Sequence, residues 1–451
     1  MNNEHDGYYT MPVGMCEDYP EETTTEDIIK KDLDFLKAHD IKFMRISFGW
    51  DAIENEEDKY DWLFWDEYIR TAVEDYGITL IPYICYTPDW NSTAKGDPMA
   101  FWNHTPIDYD EFGEFIYDLV TRYKPWIETW ELWNEPDISA FWSGNAADLA
   151  KLTKIGSKAV RRADPTAKVV LAGLAWDTNF TRELFKDHDI SQHIDVVNIH
   201  NYFETWHPDP VEHITDYVDE IYSIVAAYGD GQPVWMAEVG YSTWRMDSAR
   251  VSNDYVACYE YEHTPEYQAV DLFKRCALVA ATHQVSAIAW YELKDLPMGE
   301  DVIGDNNNRN LGVCYVDHTP KPAAQALKTF NVLFNKPFLN ISEDVKVSAS
   351  EDLDTQSLSF KMNDGSVLLV AWLPTWLAEE ECGEPRGAVA DQRSANLNFE
   401  LPFELSGDAV QLDELGNSSP FSGANASSGK TTLKDVELTG GKLTIIKIKK
   451  S

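Results

Sequence analysis

Short apolar, β-rich runs alternate with amphipathic stretches of helical period along the first three quarters of the chain. No other feature restricts the fold as strongly. The runs lie at 11–16, 43–48, 79–86, 127–134, 168–175, 195–202, 233–240 and 286–292. Between them the spacing predicts helices, for example over 26–39 with Thr25 as N-cap. Another covers 265–283, with Thr264 as N-cap and Pro265 at the first helical position. Near-continuous apolar strands that alternate with helices form a parallel sheet covered on both faces. Eight such units predict an α/β fold of the (β/α)8 TIM barrel type over residues 1–335, with a closing helix over 323–334. No Gly-rich phosphate loop follows the first run, which speaks against an open, nucleotide-binding sheet.

After Pro322 and its helix the pattern changes. Segments 345–348, 357–362, 367–372, 396–401, 410–413 and 442–449 alternate polar and apolar residues, with Asp-Gly, Ser-Gly and Gly-Gly turns between them. That reads as a smaller C-terminal antiparallel β-sandwich domain over 336–451. Residues 406–432, rich in Gly, Ser and Asn, read mostly as loop.

Charge narrows the partners. The chain has 77 acidic and 37 basic residues, a formal charge of −40. Such a balance disfavours nucleic acid, an anionic membrane or a polyanionic substrate. No apolar run approaches the roughly 20 residues needed to span a bilayer. Residues 1–6 lack the basic and apolar regions of a signal peptide, so the chain is expected to be cytoplasmic, or secreted with its leader removed. The six cysteines have no C-x-x-C spacing and several sit in apolar runs, so buried free thiols are expected rather than disulfides or a zinc site.

Two glutamates close apolar runs. Glu135 stands in Trp133-Asn134-Glu135-Pro136 after the fourth run, and Glu238 ends the seventh, Val234-Trp235-Met236-Ala237-Glu238. In barrels of this class the active site lies at the C-terminal strand ends. Two carboxyl groups brought together there suit acid-assisted cleavage of a glycosidic bond. At about 5–5.5 Å, in an effective dielectric near 20, their charges repel by roughly 3 kcal/mol, or about 2 pKa units. One then stays protonated while the other is ionised: Glu135 as acid/base, Glu238 as nucleophile. Tryptophans gather past strand ends as well, at Trp50, Trp90, Trp176 and Trp244. A ring of aromatics around a saccharide cleft accounts for that bias better than core packing does, and Trp90 and Trp176 are candidates for substrate contact.

The motifs together are similar to those of clan A retaining glycoside hydrolases. They comprise Asn134-Glu135-Pro136 after the fourth strand, His200-Asn201-Tyr202 at the sixth, Glu238 at the seventh and Trp290 in the eighth. Trp130–Asp137, Trp290–Asp295 and Thr319–Ala323 most resemble family 39 and its relatives. Val239-Gly240-Tyr241 departs from that family's β-xylosidase branch, and Arg45-Ile46-Ser47-Phe48 is closer to endo-acting relatives or to family 5. The resemblance implies cleavage of β-linked oligo- or polysaccharide by double displacement without a cofactor. It also implies that Arg45 and Tyr202 hold Glu238, Asn134 meets the sugar 2-hydroxyl, His200 supports the site and Trp290 floors the central subsite. Glu131, on the same strand as Glu135, reads as a structural partner. One alternative is a barrel that binds carbohydrate without cleaving it. Another, a metal-dependent hydrolase, lacks the H-x-H spacing such sites use, so no metal is expected.

Overall fold

The computed structural model describes residues 4–5, 7–18, 24–246, 249–297, 305–375 and 387–450. Eight parallel strands form its centre: β1 (Val13–Glu17), β2 (Phe43–Gly49), β3 (Thr79–Cys85), β4 (Thr129–Asn134), β5 (Lys168–Gly173), β6 (Val197–Asn201), β7 (Val234–Val239) and β8 (Val285–Tyr291). Their order in the sheet is β5-β4-β3-β2-β1-β8-β7-β6. Single bridges from Val170 to Val196 and from Leu174 to Ile199 close β5 onto β6. Helices α1 (Glu26–Ala38), α2 (Leu63–Arg70), α3 (Tyr109–Tyr123), α4 (Ala146–Ala163), α5 (Thr178–His188), α6 (Ile214–Tyr228), α7 (Pro265–Thr282) and α8 (Pro322–Leu333) follow the strands in turn. The expected N-caps form: Thr25 accepts from the Ile28 N–H and Thr264 from that of Tyr267. The expected (β/α)8 barrel is the observed one.

Strand faces divide the core. Val13, Met15, Met44, Ile46 and Phe48 point out to the helices. Phe43, Ile81, Val170, Val196, Trp235, Ala287 and Ala289 fill the barrel interior. The interior packing occupies the lower barrel and leaves polar side chains to the strand ends.

The C-terminal part is a sandwich of an eight-stranded and a four-stranded antiparallel sheet. In the larger sheet Phe360, Leu368, Val370, Trp372 and Ile445 join the barrel's core, while Val367, Leu369, Ala371, Ile446 and Ile448 face the smaller sheet. This period-2 division fuses the sandwich to the barrel through an apolar layer. Two expectations need correction. Tyr8–Tyr9, inside the segment assigned to the barrel, pairs instead with Phe338–Asn340 in the larger sandwich sheet. Beyond the strand expected at 410–413, which is present as Ala409–Leu412, the stretch read as loop holds strands Ser418–Pro420 and Ala424–Ser427 and the start of the ten-residue strand Lys430–Thr439. Its polar residues sit on half-exposed strands, where composition mimics that of a loop.

Cys16, Cys85, Cys276 and Cys314 are free and buried, as expected. Cys258 is disulfide-bonded, which corrects the free-thiol reading at that position. No described helix is long and apolar enough to cross a membrane.

Candidate active site

Two backbone irregularities aim the glutamates. At the end of β4, Trp133 (φ 91°) and Glu135 (φ 42°) both adopt left-handed conformations. Such strain persists only where surroundings enforce it, and it gathers at functional sites. Here the Glu135 N–H is tied to the Gly173 carbonyl at the end of β5, 2.8 Å away. In β7 the device is a bulge. Asn198 pairs with Trp235 and His200 with Glu238, while on the other edge Ile288 pairs with Met236 and Trp290 with Val239. Each time β7 uses three residues against two. Trp235 and Ala237 face the interior, so strict alternation would turn Glu238 outward; the extra residue turns it in.

Glu238 meets a buried arginine there. The Arg45 Nη1 donates to Glu238 Oε2 (2.8 Å) and contacts Cys16 Sγ (3.4 Å). Its Nε and Nη2 donate to the two oxygens of Glu131 (2.9 and 2.8 Å), and Nη2 also to Asn134 Oδ1 (2.7 Å). The guanidinium lies 3.9 Å above the Tyr83 ring. Glu131 further accepts from the Gly173 N–H (2.9 Å) and from Asn198 Nδ2 (3.0 Å). Glu131 is fully buried and holds Arg45 through both its oxygens. The Tyr202 hydroxyl donates to Glu238 Oε1 (2.7 Å).

His200 stands between the carboxyl groups. Its Nδ1 shares a hydrogen bond with Glu135 Oε1 (2.8 Å) and lies 3.6 Å from Glu238 Oε2. Its Nε2 has no hydrogen-bond partner and faces Gly173, where an added Cβ would come within 2.0 Å. Burial lowers the His200 pKa, so the ring is neutral.

The two glutamates differ electrostatically. Burial raises Glu135 to about 8, the negative charge of Asp137 adds to the rise, and Arg45 opposes it. Burial also raises Glu238, the charge of Glu135 adds to the rise, and Arg45 opposes it. Desolvation of Glu135 outweighs repulsion between the two carboxylates. Asp137 is held by the N–H groups of Ala175, Trp176 and Asp177, each at 2.9 Å.

Glu135, Glu238, Arg45, Asn134, His200 and Tyr202 thus converge. Trp290 does not. It is fully buried on the outer face of β8, and Tyr291 takes the inward place. Trp90 is half-buried, donates to the Glu54 carbonyl (2.8 Å) and packs edge-on to Trp50, which is core. Trp176 is 46% exposed, with its ring 6.2 Å from that of His207. Sequence reasoning missed the nearer aromatics. Tyr86, Trp102 and Phe141 cluster on the Asn134 side, while Trp206 and Tyr291 pack edge-on against Tyr202, which the sequence did single out. It also missed Asp18, which follows β1 directly and accepts from the Tyr83 and Tyr291 hydroxyls, the latter at 3.3 Å. The strand-end rule that found the glutamates covers Asp18 and Tyr291 equally; the preference for tryptophan hid them.

One atom each of Glu135, His200 and Glu238 lies within 4.8 Å of the others, close enough to hold a metal ion. The Arg45 charge, 2.8 Å from Glu238, opposes a cation at that place.

Residues 18–104 match the family model Glyco_hydro_42, described as beta-galactosidase. No curated protein matches the chain by sequence. Among solved structures, a family 39 glycoside hydrolase from Bacteroides cellulosilyticus WH2 superposes with a TM-score of 0.64 at 16% identity, over 97% of this chain and 81% of its own. A monomeric beta-xylosidase from Caulobacter crescentus CB15 does so at 0.64 and 16%, over 98% and 96%. A family 30 endoxylanase from Clostridium papyrosolvens C71 gives 0.63 and 11%, over 98% and 97%. These likenesses span nearly the whole chain and show a shared fold, a (β/α)8 barrel with a trailing sandwich.

Proposed function

We propose that the protein hydrolyses β-glycosidic bonds of an oligo- or polysaccharide with retention, Glu135 serving as acid/base and Glu238 as nucleophile. One observation carries this reading: oxygens of the two carboxyl groups lie within 4.8 Å of each other, around His200 Nδ1. Retaining pairs stand about 5–5.5 Å apart, whereas inverting pairs need roughly 6.5–9.5 Å to admit a water. The descriptions beta-galactosidase and beta-xylosidase, borne by the matched family model and a structural neighbour, support the β linkage.

The chemistry follows from the environments. Glu238, paired with Arg45 and bonded by Tyr202, is the carboxylate that attacks the anomeric carbon. Glu135, raised to about 8, carries a proton at neutral pH and delivers it to the leaving oxygen. Forming the glycosyl-enzyme removes the Glu238 charge and leaves Glu135 ionised, ready to take a proton from the water that releases the sugar. The carbonyl of Asn134 is taken by Arg45, so its amino group faces the 2-hydroxyl, a bond that strengthens in the transition state. Tyr291 takes the place expected of Trp290 beneath the sugar. The exposed Trp176 ring offers a stacking surface on the leaving-group side.

Proton NMR of the first product from an aryl β-glycoside tests the mechanism. The β-anomer should appear first and then mutarotate. An α-anomer formed first would contradict retention.

A further inference from the structure

Asp18 has no part in the double displacement, yet the fold fixes it at the site's edge. It is half-buried at the end of β1. The Tyr83 hydroxyl donates to Oδ1 and the Tyr291 hydroxyl to Oδ2 (3.3 Å). Both tyrosines belong to the catalytic group: the Tyr83 ring lies under Arg45, and the Tyr291 ring is 6.5 Å from that of Tyr202. The Asp18 charge is felt by both Glu135 and Glu238. With β1 between β8 and β2 in the sheet, Asp18 stands across the barrel mouth from β4 and Glu135. That is the side away from the leaving group.

A carboxylate offers about four acceptor positions, and the two phenols use one on each oxygen. The free positions suit neighbouring hydroxyls of a sugar. Among the described residues, the same site leaves no cation for a sugar carboxylate. Arg45 has five N–H groups, and Glu131 (two), Glu238, Asn134 and Cys16 take all five. Burial keeps His200 neutral. We propose that Asp18 is the specificity residue of this site: it accepts from hydroxyls of the sugar bound over Glu238 and excludes uronic acids, so that the substrate is a neutral glycoside.

The proposal rests on the Glu135–Glu238 reading, and the test separates the two. The kcat/KM of wild type, Asp18→Asn and Asp18→Ala is measured on 4-nitrophenyl β-D-glucoside, galactoside, mannoside and xyloside, and on the β-D-glucuronide. Wild type should favour its best neutral substrate over the glucuronide by at least about a hundredfold, the scale of one close like charge. Asp18→Asn keeps the size and can still accept from one tyrosine through its amide oxygen. It should lose at least about tenfold on the neutral substrate while the neutral-to-uronide ratio falls at least about tenfold. Asp18→Ala should lower the ratio in the same direction. A loss shared equally by all substrates marks a structural role and overturns the proposal, as does a wild type that accepts the glucuronide equally well. Wild type inert on every glycoside would remove the hydrolase reading along with it.

Discussion

Arg45→Met replaces a buried cation, shared by two carboxylates, with an apolar chain of similar length. In the native protein the guanidinium is fully buried and lies 2.8 Å from oxygens of both Glu131 and Glu238. At an effective dielectric near 20, unit charges about 4 Å apart attract by about 4 kcal/mol. Losing that attraction corresponds to a rise of about 2–3 pKa units at Glu238. A larger fraction of the nucleophile is then protonated at any given pH. The acid limb of kcat/KM should move up by about 2 units, and on that limb the rate should fall by up to about a hundredfold. Stability changes too, because breaking one side of a buried pair costs about 3–5 kcal/mol. Glu131 keeps only the Gly173 N–H and Asn198 amide as partners. With its folded-state pKa raised, Glu238 favours the folded state at low pH, and that contribution is lost as pH rises. The deficit should therefore be larger at pH 8 than at pH 5. Urea unfolding at both pH values and a pH–rate profile on an aryl glycoside measure these effects. A variant within tenfold of wild-type activity, with an unmoved acid limb, would refute the reasoning.

Three further outcomes follow from the same geometry. Burial raises Glu17, Glu135 and Glu262 each to about 8, so the folded protein holds protons that the unfolded chain releases. Their stabilising contribution is complete below the unfolded value of about 4.3 and is lost as pH rises towards 8. Thermal midpoints should fall from pH 5 to pH 9, less steeply in Glu135→Gln; a flat or rising series contradicts this. Gly173→Ala puts a Cβ 2.0 Å from His200 Nε2. It should cost about 1–3 kcal/mol in stability and lower kcat by displacing the imidazole, whereas wild-type kinetics would show that the ring has room to move. Prolonged dialysis against EDTA should leave activity unchanged, and loss restored by a divalent cation would instead place a metal on Glu135, His200 and Glu238.

The barrel was legible because its strands are near-continuous apolar runs between well-capped helices. Glu135 and Glu238 were legible because chemistry collects at strand ends. The same continuity hid which face each residue takes. β8 is buried on both sides along its whole length, so nothing in the sequence separates Trp290 from Tyr291. Inward aim at Glu238 depends on a bulge, which leaves no local signature without a glycine or proline to mark it. Asp18 became visible only when β3 and β8 brought Tyr83 and Tyr291 to it from 65 and 273 residues away. Lys430–Thr439 was half hidden among Gly, Ser and Asn, since strands with exposed positions carry turn-like composition. Cys258 could not be paired from spacing alone.

Trapping the covalent intermediate tests the central claim most directly. The protein would be incubated with 2-deoxy-2-fluoro β-glycosyl fluorides of several sugars, digested, and its peptides sequenced by mass spectrometry. A fluoroglycosyl adduct on Glu238, absent from Glu238→Gln, is the predicted result. An adduct on Glu135 or any other carboxylate, or turnover of the true substrate by Glu238→Gln at the wild-type rate, would contradict the account.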